Sequence, residues 1–151
     1  MPTDRPVQYR LRPARPADLD FVCALRERTV SRYIDEAFGW ESSEQRDGCA
    51  RELSRPGAAI VVVDDEDVGY LRFVIGDRQS DLDDLDLLPE HQSRGLGTQI
   101  LRDLMARAAV VGVPVQLAVL RVNRGATRLY ERLGFLRVRE DDHTLWMIWR
   151  P

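Results

Sequence analysis

The residues of this 151-residue chain best suited to chemistry cluster in Gln92-Ser93-Arg94-Gly95-Leu96-Gly97-Thr98, shortly after Pro89. Gly95 and Gly97 let backbone amides approach a ligand with no side chain in between, and Arg94 adds a formal positive charge. After Thr98 the apolar residues Ile100, Leu101, Leu104, Met105, Ala108 and Val111 recur at helical spacing. The loop therefore opens a helix, whose unpaired N–H groups and positive dipole end favour an anion such as phosphate. Two better-known phosphate motifs are excluded. A dinucleotide fingerprint needs glycine or alanine where Ile100 stands, and a P-loop needs Gly-Lys-Ser/Thr in a chain that has no lysine. Taken alone, what remains also reads as a plain glycine-rich turn before a helix.

Two further groups flank this loop. Upstream, the stretch 79–88 holds Asp81, Asp83, Asp84 and Asp86, a high acid density for a strand. Pro89 ends that strand, having no ladder N–H to give. Leu82 is out of phase with Leu85 and Leu87, so strict alternation fails near Asp83-Asp84, as an inserted bulge residue would make it fail. Downstream, Asn123 stands at an N-cap position, and Ala126, Leu129, Tyr130 and Leu133 share one helical face. Gly134 ends that helix, with Phe135 as its hydrophobic contact. By themselves Asn123 reads as a cap and Tyr130 as a packing residue.

Together these segments carry a family likeness. Gln92-Ser93-Arg94-Gly95-Leu96-Gly97 resembles the Gln/Arg-x-x-Gly-x-Gly/Ala loop that holds the acetyl-CoA pyrophosphate in the GNAT superfamily of N-acetyltransferases. Asn123-Arg124-Gly125-Ala126-Thr127-Arg128-Leu129-Tyr130-Glu131-Arg132-Leu133-Gly134-Phe135 resembles that superfamily's Asn-x-x-Ala-x-x-Leu-Tyr-x-x-x-Gly-Phe segment, in the family's order. The resemblance extends from about Val7 to the C-terminus. It implies acetyl-CoA as cosubstrate, gripped by Gln92, Ser93, Arg94, Gly95, Leu96, Gly97 and Thr98. It further implies that the bulged strand, at Leu85, Leu87 and Leu88, engages the thioester and pantetheine. Asn123 would touch the pantetheine or the phosphate arm, and Tyr130 would reach the sulfur.

The chemistry so implied is attack of an amine on an acetyl thioester. An alkyl amine with a pKa of about 10.4 loses its proton at pH 7 at a cost of roughly 4.6 kcal/mol. A carboxylate can relay that proton directly or through water. Asp81 and Asp83 are the candidates, because they lie on the strand leading to the thioester and share a face if no residue intervenes; solvated edge acids are the plainer reading. A backbone N–H near Leu87 would hold the developing oxyanion. The phenol of Tyr130, with an ordinary pKa of about 10, is too weak an acid to protonate a thiolate near 8.5 downhill, so its hydrogen bond matters as much as proton transfer.

The resemblance, with the strand and helix patterns, implies an α/β fold of α+β type. We expect a GNAT-like mixed, mostly antiparallel central sheet flanked by helices, with a bulged strand leading into the CoA pyrophosphate loop. A first strand spans 7–11, where Val7, Tyr9 and Leu11 alternate with polar residues. A helix opens at Pro16-Ala17-Asp18 and keeps its apolar stripe to Ile34, and Ser42-x-x-Gln45 can box the start of a second, polar helix running to about Leu53. Residues 58–63 and 68–75 form a hairpin about Asp64–Asp67, strands follow at 113–120, 136–139 and 144–150, and Asp141-Asp142 is the last turn. Between the first two helices, Phe38, Trp40 and Glu41 read either as core aromatics beside a solvated helix end or as a wall of the acceptor pocket.

Composition narrows the rest. The length suits one domain, residues 1–151 with a short tail at 1–6. A net charge of −3, with 22 arginines dispersed along the chain, argues against nucleic acid as the main partner. Cys23 and Cys49 are far apart in sequence and match no metal or redox spacing, and His91 and His143 are isolated, so no metal is expected. No signal peptide or membrane-spanning run is evident, and a cytoplasmic protein is the default. The leading expectation is an acyl-CoA-dependent N-acetyltransferase acting on a small-molecule or peptide amine. A non-catalytic acyl-CoA-binding module and a plain nucleotide-binding domain are the alternatives. Trp146 and Trp149 on the last strand leave a homodimer possible.

Overall fold

The computed structural model describes residues 5–151. Seven strands form one sheet in the order β1-β2-β3-β4-β5-β7-β6. They are β1 (Arg10–Pro13), β2 (Ala58–Val63), β3 (Glu66–Ile75), β4 (Ser80–Leu87), β5 (Val115–Leu120), β6 (Leu136–Glu140) and β7 (Thr144–Trp149). All neighbours pair antiparallel except β4 and β5, which run parallel. The helices are α1 (Leu19–Thr29), α2 (Ser31–Phe38), α3 (Ser42–Leu53), α4 (Leu96–Val111) and α5 (Arg124–Arg132). The mixed, mostly antiparallel sheet with flanking helices is the architecture expected from the residues.

Two cores lie on opposite faces of the sheet. On one, α4 buries Leu96, Ile100, Leu101, Leu104 and Ala108, each no more than 2% exposed, against Val61, Leu71, Leu82, Leu87 and Leu117, and Leu129 of α5 and its C-cap Leu133 add to the margin. Each buried leucine, isoleucine or valine here contributes about 1.5–3 kcal/mol. On the other face, Val22 and Leu25 of α1 and Cys49 and Leu53 of α3 cover Ile60, Val62 and Tyr70. The β2–β3 hairpin closes through Asp64 and Asp65, both at positive φ (51° and 63°), the pairing that matches strand twist in a two-residue turn.

Several local readings of the sequence are corrected. The first strand ladder begins at Arg10, although Val7, Tyr9 and Leu11 do pack on the core and the carbonyl of Val7 accepts from Gln99 Nε2 at 2.8 Å. Of the tail expected at 1–6, residues 1–4 lie outside the described residues. The helix expected to run to Ile34 breaks at Val30. There Thr29 Oγ1 donates to the Leu25 carbonyl at 2.9 Å and Ser31 Oγ to the Glu27 carbonyl at 2.5 Å, back-bonds that bend helices. Helix α3 starts on Glu41 with no side-chain cap, so the Ser42/Gln45 box does not form. Phe38 is no core residue: it is 62% exposed and leans on the His143 ring, centroids 4.6 Å apart.

Candidate active site

The site begins with an interruption of sheet pairing. Strand β4 pairs with β5 at only three positions, Ser80 with Val115, Asp81 with Gln116 and Leu82 with Leu117. Beyond Leu82 the two strands part, while β5 continues beside β7 to Leu120. The cause is in β4. Leu71 faces Leu85 across the ladder but Arg72 faces Asp83, so Asp84 is an inserted residue, and it sits at φ 55°. The bulge keeps Leu82, Leu85 and Leu87 toward the α4 core. It also turns Asp86 to the opposite face as the cross-strand neighbour of Tyr70.

A cleft of about 690 Å³ fills the wedge so opened. Its floor is Leu85, Asp86 and Leu87; one end is Gln92, Ser93, Gly95, Gly97 and Thr98; its sides are the α1–α2 junction and Asn123 with the α5 residues Gly125, Ala126, Leu129 and Tyr130. The ion pair of Arg28 with Glu90, 2.5 Å, ties the α1 end to the segment after β4. The loop has the form the residues required. Gln92 Nε2 donates to the Leu87 carbonyl at 2.9 Å, Ser93 and Gly95 take positive φ, and α4 starts with no side-chain cap on its first N–H groups. A side chain at Gly95 or Gly125 would meet nothing within 4 Å, and at Gly97 only Leu87 Cδ1 at 3.7 Å, so the glycines leave open space rather than relieve a clash. An uncapped helix N-terminus facing such space fits a phosphate-bearing ligand. Residues of this loop, with Asn123 across the cleft, would hold the pyrophosphate and arm of acetyl-CoA.

Not every expected residue reaches the cleft. Leu96 is buried in the core, Leu88 packs toward α1, and Arg94, within the loop, is exposed and does not line the cleft. Asn123 does cap α5, its Oδ1 accepting from Ala126 N at 3.2 Å, while it also lines the cleft. Asp81 and Asp83 share a face, since the inserted residue follows them, but neither lines the cleft. Asp83 pairs with Arg72, and Asp81 accepts from Gln79 Nε2 at 2.9 Å. Of the three acceptor-side residues, Trp40 lines a crevice between α1 and α3, while Phe38 and Glu41 are exposed.

The acid in the cleft is Asp86, which its place in the sequence does not single out. It is 7% exposed, and its Oδ2 has no hydrogen-bond partner. Arg26 Nη1, from α1, lies 3.6 Å from that oxygen and 3.1 Å from Asp84 Oδ1. Burial, then the charge of Asp84, push the Asp86 carboxyl up to about 7 against the pull of Arg26. Burial and then the same two carboxylates raise the Tyr130 phenol above its ordinary value, so it stays protonated. Burial opposes charge on Arg26 too, yet Asp84 and Asp86 hold it charged. Cys23 and Cys49, distant in sequence, meet at the α1–α3 crevice, where burial pushes the Cys49 thiol up to about 12.

Comparison with known proteins agrees with this geometry. The model of the acetyltransferase (GNAT) family matches residues 23–135. Among solved structures, an acetyltransferase from Thermus thermophilus superposes with a TM-score of 0.76 at 22% identity, covering 96% of this chain and 98% of that one. PaiA N-acetyltransferase from Thermoplasma acidophilum, in complex with coenzyme A, gives 0.75 at 17% identity, over 95% and 99%. The ribosomal-protein-S18-alanine N-acetyltransferase from Escherichia coli gives 0.67 at 19%, over 95% and 94%. A search of the curated proteins finds no match. With the bulged strand, the anion loop and the Asn123–Tyr130 helix around one cleft, and with the family model spanning most of its length, the chain belongs to the GNAT family of acyl-CoA-dependent acetyltransferases.

Proposed function

We propose that the protein moves an acetyl group from acetyl-CoA to a primary amine of a small molecule or peptide by direct attack, with no covalent enzyme intermediate. The observation that carries this reading is the meeting of a buried carboxylate, Asp86, and the Tyr130 phenol in a cleft that ends on an uncapped helix N-terminus. The amine nitrogen bonds to the carbonyl carbon, the carbon–sulfur bond breaks, and its electron pair leaves on sulfur. The amine proton passes to Asp86, directly or through water. We assign the relay to Asp86 in place of Asp81 and Asp83, because Asp83 is committed to Arg72 and neither lines the cleft. A carboxyl near 7 suits the task, since a base matched to the working pH combines basicity with the right protonation state. Backbone N–H groups on the edge of β4 that β5 leaves open beyond Leu82 would serve the developing oxyanion. Tyr130 donates a hydrogen bond to the departing sulfur.

The test is thiol release from acetyl-CoA over a panel of amines and peptides. Turnover with some members, lowered on the order of a hundredfold in Tyr130→Phe with acetyl-CoA affinity within a few-fold, is the expected result. Acetyl-CoA binding with no thiol release across the panel, and no effect of Tyr130→Phe, would instead make the protein a non-catalytic acyl-CoA-binding module.

A further inference from the structure

Arg26 stands where an apolar side chain is expected. In α1 it lies one turn beyond Val22 and next to Leu25, the two residues that bury the helix on the sheet, so it falls on the inner stripe, with its side chain 16% exposed. A charged group in that place needs a partner. Arg26 has two, both on β4: its Nη1 lies 3.1 Å from Asp84 Oδ1 and 3.6 Å from Asp86 Oδ2, so one nitrogen serves two carboxylates. The first is the inserted residue of the bulge, and the second is the acid of the cleft. Neither Arg26 nor Asp84 lines the cleft, so their effect on acetyl transfer runs through Asp86.

The bulge adds a second constraint. Asp84, at φ 55°, occupies the left-handed region, which besides glycine mainly asparagine and aspartate tolerate. Conformation alone would accept glycine or asparagine there, whereas the carboxylate sets a negative charge beside a buried acid. The other charged and titratable groups around Asp86 are either paired or neutral. On the cleft wall, Arg28 pairs with Glu90 and Arg32 Nη2 donates to the Tyr33 hydroxyl, 2.5 Å in each case. On α3, Glu52 pairs with Arg55 at 3.1 Å. Burial keeps the Cys49 thiol and the phenols of Tyr70 and Tyr130 protonated. Among the described residues this leaves Arg26 and Asp84 as the charges that act on Asp86, and they act in opposite directions.

We propose that Arg26 and Asp84 are positioning residues for the proton relay, an opposed pair fixed to the bulge: Arg26 anchors the Asp86 carboxylate and favours its charged form, while Asp84, held at the inserted position, favours the protonated form. With Arg26 alone the acid would be a weak base, and with Asp84 alone it would stay protonated through the neutral range. The bulge that opens the wedge thus also sets the pH at which its acid works. The inference rests on the acetyltransferase reading above, but the Asp86 carboxyl can be followed without turnover.

The titration of Asp86 is measured by carbon-13 NMR of aspartate-labelled protein, with Asp86→Asn to assign the signal, on the wild type, Arg26→Gln, Arg26→Lys and Asp84→Asn. For any amine that is acetylated, kcat/KM is followed over the same pH range. Arg26→Gln should move the Asp86 midpoint up, and Asp84→Asn should move it down, each by about one pH unit or more. In Arg26→Gln, kcat/KM should then fall about fivefold or more at pH 7 and return at higher pH, a recovery that mere damage to the fold would not give. Because one nitrogen makes both contacts, Arg26→Lys should return the midpoint to within about half a unit of the wild type. Asparagine tolerates the left-handed conformation, so Asp84→Asn keeps the bulge and decides the matter even if Arg26→Gln does not fold. A midpoint unmoved in Asp84→Asn, or shifts of the same sign in Asp84→Asn and Arg26→Gln, would overturn the pair and leave acetyl transfer standing. Opposite shifts in a protein that releases no thiol with any amine would support the pair and remove only the acetyltransferase reading.

Discussion

Asp86 concentrates the conflict between stability and chemistry in one side chain. Its carboxyl is raised above the ordinary range, so the folded protein holds its proton more tightly than the unfolded chain does. Stability then falls as pH rises, from near 4, where the unfolded carboxyl ionises, to about 7, where the folded one does. Above that window the native state carries an ionised, buried group beside Asp84, with Arg26 as partial compensation. The isosteric Asp86→Asn variant removes the ionisation. Its melting temperature should therefore exceed that of the wild type at pH 8 by roughly 2–4 °C for each kcal/mol recovered, and the gap should close at pH 4. The same change should lower kcat/KM at least about a hundredfold. Wild-type kcat/KM should climb through about pH 7 as Asp86 becomes available as a base. Equal melting curves for the two proteins across this pH range would sink the account of a strained carboxyl, and undiminished activity would remove Asp86 from the mechanism.

At the scale of elements, the anion loop and the bulge act as one device: the bulge parts β4 from β5, and the loop turns the end of β4 into an uncapped helix. Gly97→Leu should weaken acetyl-CoA binding by an order of magnitude or more, because its side chain would enter the cleft. Its fold should survive, because the new Cβ touches only Leu87 Cδ1. Gly95→Ala acts differently: at φ 84° the cost is conformational, about 1 kcal/mol or more. Titration and thermal melting of both variants separate the effects. Both parts of this device were legible in the residues, since a phase slip between Leu82 and Leu85 is a local signal, as is a glycine pair before a periodic helix. The break between α1 and α2 was not, because it depends on whether the hydroxyls of Thr29 and Ser31 turn back on their own helix. Nor was the standing of Asp86. Four aspartates in eight residues look alike until α1, from sixty residues earlier in the chain, sets Arg26 against two of them and β3 sets Arg72 against a third.

For the whole molecule, the consequence is a sheet divided into two parts, β1–β4 and β5–β7–β6, joined by three rungs of ladder and by the α4 core beneath. A ligand that spans the wedge touches β4, the start of α4 and the start of α5, and so adds contacts across the division that the chain does not make for itself. Binding of that kind acts on the folded state alone and stabilises it by mass action, about 2.7 kcal/mol at a hundred times Kd, or a rise of roughly 5–10 °C in melting temperature for a chain of this size. Acetyl-CoA should produce that rise. ADP reproduces the diphosphate but not the pantetheine arm or the acetyl group, so it reaches the α4 loop without bridging to Tyr130 and should raise the melting temperature much less at the same concentration. NAD lacks the thioester arm as well and should behave like ADP. Melts at matched ligand concentrations, repeated in Gly97→Leu, decide the matter: an equal shift with ADP would mean that the cleft recognises a nucleotide diphosphate and nothing further along.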